Sequence, residues 1–365
     1  MTVTPLPTRG RPDVPSDLTG VHRPVIVIGG GQAGLACSYW LSRAGVEHVV
    51  VDEQEEPGGA WRRTWPSLRL FSPASYSSLP GRMMPPHPDV FPPVSHVLDY
   101  LEDYEQRYRV PVRRPVRVLD VRADHDALTV VTDGADLRTR HVVNATGTWR
   151  APFVPHVEGA DIFAGTQRHS AHYGGPDPFV GRRVAVVGGG NSAVQITADL
   201  VGSAAVVHLC SLTRLRWLPD DVDGRYLFDR ATARVRGDAE GQEAELSGTI
   251  VAMPAVRKAR AVGALRLRAM FDRMDATGAV IGRKHVDLDD VIWATGFRPA
   301  LRHLRSLRLR TTDGIPAVVG NRSAKDPRVS FIGYGDWTGP ASATLIGVGR
   351  TAKALVDELA EEFRA

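Results

Sequence analysis

Gly29-Gly30-Gly31-Gln32-Ala33-Gly34 fits G-x-G-x-x-G and stands between two readable elements. Residues 25–28, Val-Ile-Val-Ile, form a short buried-strand run before it, and residues 32–44 keep helical spacing after it. Residues 49–51 supply a second strand and close a β-turn-α-β unit. In such a unit Gly29 permits the tight turn, Gly31 lets the backbone approach a pyrophosphate, and Gly34 lets the helix pack closely on the strand. The helix N-terminus, with Gln32 and Ala33 in its first turn, then faces the anion. Asp52 follows the second strand, where an acid bonds a ribose diol.

The same unit is written a second time. Residues 184–187 read as a strand, Gly188-Gly189-Gly190-Asn191-Ser192-Ala193 as the G-x-G-x-x-A turn, residues 191–201 as a helix and residues 206–209 as a strand. The second copy ends in Cys210-Ser211 rather than an acid, and Arg214 and Arg216 follow. A carboxylate there would repel a 2′-phosphate, whereas arginine pairs with it, Arg214 ahead of Arg216. The first site is therefore read as FAD-binding and the second as NADPH-binding, as in a flavin enzyme reduced by a nicotinamide.

The expected fold class is α/β, with two Rossmann-like dinucleotide-binding domains and the NADPH domain inserted into the FAD domain. The expected bounds are a disordered lead-in at 1–20, the first part of the FAD domain at 21–160, the NADPH domain with its linker at 161–290, and the second part of the FAD domain at 291–365. Residues 57–93 are irregular, residues 94–108 return to helical spacing, and residues 116–121 and 128–132 suggest a hairpin. The strand at 142–145 ends in Thr146-Gly147, and the one at 291–294 echoes it with Thr295-Gly296.

Composition narrows the class. With 365 residues, 43% hydrophobic and 24% charged, the chain is long enough for two cores and is not disordered throughout. No apolar run approaches the ~18–20 residues of a membrane helix, and residues 1–20 lack signal-peptide order, so no membrane and a cytoplasmic location are expected. Cys37 and Cys210 are the only cysteines, which excludes a disulfide scaffold, a CxxC centre and a four-cysteine zinc site. Four of the 45 cations are Lys and the rest Arg, which suits phosphate recognition. They are spread along the chain rather than clustered, so no nucleic-acid partner is expected.

Phe163, Gly165, His169 and Tyr173 fit F-x-G-x-x-x-H-x-x-x-Y. This resembles the signature of class B flavoprotein monooxygenases, the flavin-containing monooxygenases and their Baeyer–Villiger relatives, and the likeness extends over residues 21–359. Gly58-Gly59-Ala60-Trp61 resembles the family's G-G-x-W segment, which runs along the flavin, and Arg214–Pro219 its R…W…P stretch. Ala145-Thr146-Gly147 and Ala294-Thr295-Gly296 resemble its domain-linking strands. Asp336 falls where an acid reaches the ribityl chain, and Val118 where backbone contacts adenine. Residues 70–80, 218–225 and 335–349 resemble, more narrowly, the compact ArsO-type arsenic-operon-associated flavin monooxygenases.

The resemblance implies that NADPH reduces FAD, O₂ adds at the flavin C4a position, and the resulting (hydro)peroxide passes one oxygen to a small soft nucleophile. Sulfur, nitrogen or trivalent arsenic qualifies, and a carbonyl by the Baeyer–Villiger route. The implied partners are thus a small-molecule substrate and O₂. Animal-type members place an Asn beside the flavin, but residues 70–73 here read Leu-Phe-Ser-Pro. Ser72, as a hydrogen-bond donor, and Trp61 are the flavin-proximal candidates; no side-chain acid or base stands out. An electron-transfer flavin reductase would share the duplicated turns but not the 163–173 signature, and a non-catalytic flavin redox sensor, marked by negligible NADPH consumption, is the second alternative.

Other constellations read as structural. His169 and His172 lack a third ligand, so no metal is expected. Asp220, Asp221 and Asp223 read as an exposed acidic loop. Trp61, Tyr76 and Phe91 are expected to line the flavin cavity. Cys37 reads as packing, and Cys210 as a thiol whose pKa nearby arginines lower.

Overall fold

The computed structural model describes residues 22–236, 249–311 and 313–364, so the expected disordered lead-in lies outside the described residues. In chain order the first elements are β1 (His22–Ile28), α1 (Gln32–Arg43), β2 (His48–Val51), α2 (Val94–Arg107), β3 (Val112–Arg113), β4 (Val118–Ala123), β5 (Leu128–Thr132) and β6 (Leu137–Asn144). Then come β7 (Thr166–His169), β8 (Arg183–Val187), α3 (Asn191–Leu200), β9 (Val206–Ser211), β10 (Arg216–Trp217), α4 (Gly224–Arg236), β11 (Thr249–Ile250), α5 (Pro254–Ala261) and β12 (Leu267–Ala269). The last are β13 (Arg273–Asp275), β14 (Gly278–Ile281), β15 (Lys284–Asp287), β16 (Asp290–Trp293), β17 (Val318–Val319), β18 (Arg322–Ser323), β19 (Val329–Phe331) and α6 (Leu345–Arg364).

Two parallel sheets carry the duplication. The first contains the order β3-β2-β1-β6-β19 and the second β12-β9-β8-β16-β7. In both, the strand before the glycine turn is central, with the strand after the helix on one side and the linker strand on the other. A period of two divides each central strand between two cores. Val25 and Val27 face α1, α2 and α6, while Ile26 and Ile28 face the β4–β5 hairpin and the 301–309 segment. Val184 and Val186 likewise face α3 and α5, while Ala185 and Val187 face a second apolar layer with Phe271, Met274 and Trp293. Short β-branched runs buried on both faces thus form central parallel strands.

The expected hairpin forms between β4 and β5, and β5 continues antiparallel onto β6. One expected boundary is corrected. β16 pairs in parallel with β7 and β8, so residues 290–293 belong to the second sheet, and the chain returns to the first only after Trp293. A boundary at 290/291 would split hydrogen-bonded strands. The antiparallel sheet β13-β14-β15, which covers the second unit, was not expected, because its short strands mix charged and small residues without a clear alternation.

Candidate active site: two nucleotide cradles and their hinge

At the first turn Gly29 has φ +107°, and a Cβ there would lie 2.6 Å from the Ala145 carbonyl oxygen. A Cβ on Gly34 would lie 1.9 Å from the Gly29 oxygen, so α1 sits too close to the turn for any side chain. Gly59 approaches just as closely: its Cβ would fall 2.8 Å from Gly31 Cα. Trp61 Nε1 donates to Gln32 Oε1 at 3.0 Å, and Gln32 Nε2 donates to the Ala343 carbonyl at 2.8 Å. One amide thus ties the turn to the Gly59-Ala60-Trp61 segment and to the approach of α6. Gly333 leaves room for Ala33, whose Cβ would be 2.6 Å from a side chain at that position, and this brings the exposed Asp336 stretch to the same end of α1. No side chain caps α1. The result is a glycine-walled cradle with free helix N–H groups, which fits a pyrophosphate.

Asp52 is 4% exposed and faces Gly30, whose Cβ would lie 2.7 Å from Asp52 Oδ2. Arg114 Nε donates to Asp52 Oδ2 at 3.1 Å while its two terminal nitrogens grip Glu105 at 2.5 and 2.8 Å. Burial raises the Asp52 pKa, and the Arg114 charge opposes that rise. The sequence reading missed Arg114 and Glu105, because a two-residue strand and a helix end give no signal of their own. Val118 lies in β4, at the start of an irregular register with β5.

At the second turn a Cβ on Gly188 would lie 2.3 Å from the Ala294 oxygen, matching Gly29 and Ala145. The residue opposite the middle glycine differs. Where Gly30 faces a carboxylate, a Cβ on Gly189 would lie 2.8 Å from Ser211 Oγ and 3.2 Å from Thr213 Oγ1. Arg214 and Arg216 are exposed beyond these hydroxyls. A Cβ on Gly190 would meet nothing within 4 Å, and Ser192 is exposed beside it. Asn191 donates to the Thr249 carbonyl at 2.8 Å and accepts from Val251 N–H at 3.0 Å, so it is held by the β11 segment. Ala193 packs in the core. The expectation for Cys210 is corrected: burial pushes its pKa up to about 11, and among the described residues the charge opposing this is Arg268, not Arg214 or Arg216. Burial alone pushes the Cys37 thiol up to about 12, in keeping with packing.

The 163–173 signature serves the joint between the units. A Cβ on Gly165 would lie 2.4 Å from both the Phe163 ring and the Asp289 carbonyl. His169 Nδ1 accepts from Ala171 N–H at 3.0 Å, and its Nε2 donates to the Gly296 carbonyl at 2.9 Å. Burial lowers its pKa and keeps the ring neutral in this tautomer. Phe153 N–H donates to the same Gly296 oxygen at 3.0 Å, and Thr295 Oγ1 to the Phe153 carbonyl. Ala300 N–H donates to the Gly147 carbonyl at 2.9 Å, so the two linkers run together. Thr146 Oγ1 donates to the Ala300 carbonyl at 2.9 Å. The buried Tyr334 hydroxyl must therefore donate to Thr146 Oγ1, 2.8 Å away, while accepting from the side-chain amide of Asn144.

Ser72 is buried, and its hydroxyl is engaged within its own turn. Ser77 Oγ donates to the Pro73 carbonyl, so the 3.0 Å contact between the two hydroxyls uses the single proton of Ser72. Trp61 lies at the first cradle, whereas Phe91 packs with Leu218, Val251 and Met253 and lines a cavity with the last two. Tyr76 is half-buried and is not among that cavity's walls. Asp220 and Asp221 are exposed, as expected, and Asp223 is held by Arg225. His169 and His172 flank a single 3-10 turn, and the described residues include no group of His, Cys, Asp or Glu arranged to hold a metal. No described helix is long and apolar enough to cross a membrane.

Paired cradles joined by a braced double linker define a flavoprotein oxidoreductase that brings two dinucleotides together. A family model described as pyridine nucleotide-disulphide oxidoreductase matches residues 26–223. The flavin-containing monooxygenase of Stenotrophomonas maltophilia is 43% identical over 94% of this chain and 99% of its own, with a TM-score of 0.87. CzcO, an uncharacterized oxidoreductase of Bacillus subtilis, is 26% identical over 92% of this chain and 98% of its own. The probable indole-3-pyruvate monooxygenase YUCCA9 of Arabidopsis thaliana is 31% identical over 57% of this chain and 51% of its own. The chain belongs to the flavin-containing monooxygenase family, within the class B flavoprotein monooxygenases. It is a flavin-dependent monooxygenase, and FAD and NADPH are its cofactors. The disulphide in the family model's description has no counterpart here, since Cys37 and Cys210 are both free and buried.

Proposed function

We propose that the enzyme uses NADPH to reduce FAD and transfers one oxygen atom of O₂ to a small soft nucleophile, a sulfur, a nitrogen or trivalent arsenic. FAD occupies the first cradle, with Gly29, Gly31, Gln32, Ala33 and Gly34 around the pyrophosphate, Asp52 at the ribose, Gly59 and Trp61 along the flavin side, and Val118, the 145–147 linker and Asp336 at its remaining contacts. NADPH occupies the second, on Gly188, Gly190, Asn191, Ser192 and Ala193, with Thr295 and Gly296 at the linker and Arg214 and Arg216 at the 2′-phosphate. Oxygen activation belongs to the reduced flavin. The chain contributes binding, orientation and a fixed linker geometry, and no side chain is assigned as acid or base.

The contrast opposite the middle glycines carries the reading. A buried carboxylate at Asp52 suits an unphosphorylated ribose, while Ser211, Thr213 and Arg214 offer donors and a guanidinium to a phosphate. Arg214→Ala is expected to raise the KM for NADPH by about tenfold, the loss of roughly one charge-assisted hydrogen bond, and to leave the KM for NADH nearly unchanged. Equal effects on both cofactors would remove the phosphate assignment. The oxygenation itself is read by isotopically labelled O₂ with thioether, amine and arsenite substrates. Label in the product supports the proposal; NADPH oxidation that returns all the oxygen as hydrogen peroxide defeats it.

A further inference from the structure

A cavity of about 670 Å³ opens between the 65–91 segment, α3 and the 218–257 stretch, and no residue of either glycine turn lines it. Its walls are apolar at Trp65, Phe91, Val251 and Met253. Two polar side chains of α3 reach it, Gln195 and Asp199, four positions apart and so on one face of the helix. Gln195 is 8% exposed, yet its amide has no hydrogen-bond partner in the protein among the described residues. The amide is not sealed in the interior: it opens into the cavity, where a ligand can reach it.

Asp199 is held but not neutralised. The Tyr173 hydroxyl donates to its Oδ2 at 2.7 Å, which leaves Oδ1 free, and no described cation forms an ion pair with it. The arginines of the lining are otherwise engaged: Arg69 with Asp89 at 3.3 Å, and Arg257 donating to the Asp220 carbonyl at 2.9 Å. Of the five carboxylates in the lining, Asp89, Asp220 and Asp223 are paired with Arg69, Arg260 and Arg225, which leaves Asp199 and Asp221 without a described ion pair. An apolar chamber with an unpaired carboxylate and an acceptor amide side by side selects a cation that carries N–H donors.

We propose that this cavity binds a compact organic cation with an apolar, ring-sized body and an N–H-bearing head, such as an amidinium or primary ammonium. Asp199 Oδ1 and Gln195 receive the head, and Trp65, Phe91 and Met253 cover the body. In this arrangement the last residue of the 163–173 signature, Tyr173, is a positioning residue that fixes the Asp199 carboxylate. The site is independent of the nucleotide cradles and stands whether or not oxygen is transferred.

Calorimetric titration of the FAD-loaded enzyme with benzamidinium, benzamide and benzoate tests this. Benzamidinium is expected to bind at one site about tenfold or more tighter than its neutral isostere benzamide, with benzoate weakest. Saturating NADP⁺ should leave that binding in place. Asp199→Asn should cost benzamidinium about tenfold while sparing benzamide, and Gln195→Leu should weaken both. Unchanged NADPH-dependent flavin reduction, which reads the unit that carries α3, shows that each variant is folded, and the three-probe comparison on the unmodified enzyme needs no variant. Equal affinity for the three probes, displacement by NADP⁺, or full retention in both variants would overturn the proposal.

Discussion

Gly29 combines a φ of +107° with a Cβ position 2.6 Å from a backbone oxygen of the neighbouring linker. A side chain there must push the turn off Ala145 as well as adopt a strained backbone. Gly29→Val is therefore expected to yield a colourless, FAD-free protein, checked by the visible spectrum after purification; a fully loaded yellow variant would disprove the first-cradle assignment. The same arithmetic explains Gly34, Gly59 and Gly165, whose missing Cβ atoms admit a carbonyl, another glycine and an aromatic ring. Motif spacing pointed to these residues. Arg114 and Glu105 gave no such signal, because their role depends on β3 lying beside β2 and on the end of α2 turning back towards it.

At the level of the element, β6 carries a liability in acid. His141 is fully buried, its Nε2 bonds the Ser330 hydroxyl of β19 at 2.8 Å, and its Nδ1 has no partner. Burial, helped by the Arg322 charge, lowers its pKa to about 3. A folded pKa below the unfolded value near ~6.5 means that, as pH falls through this window, the unfolded chain takes up a proton the native state refuses. Stability then declines with falling pH by up to about 1.4 kcal/mol per unit from this group. Urea unfolding at pH 7 and pH 5 should show a smaller difference for His141→Asn than for the unmodified enzyme. An identical difference would place the acid sensitivity elsewhere. The element boundaries were mostly legible, since apolar runs and glycines mark where these strands begin and end. β13 to β15 were not, because a strand built from Arg, Asp, Lys and Gly is specified by its neighbours rather than by its own pattern.

Over the whole molecule, two similar units each have apolar layers of their own and touch through the linkers that carry the Thr-Gly pairs and through the 65–91 segment, whose Trp65 packs against the second unit. Damage to the second turn should therefore spare the first. Gly188→Val, whose Cβ would meet the Ala294 oxygen at 2.3 Å, is expected to remain yellow while losing NADPH-dependent flavin reduction by more than about tenfold, measured anaerobically against dithionite reduction as control. Loss of both cofactors together would show that the units are not independent. The sequence by itself determined the two β-turn-α-β units, their order and the different residues that end their second strands, because these depend on local periodicity and on glycines that no other residue replaces. Only the tertiary structure decided which strand belongs to which sheet, as β16 shows, and where the hydroxyl proton of Ser72 is spent. It alone brought Gln195 and Asp199 to one cavity and set the signature tyrosine against the Asp199 carboxylate. Such facts depend on which groups meet across long stretches of chain, and hydrogen bonds and burial are settled by those meetings rather than by neighbours in sequence.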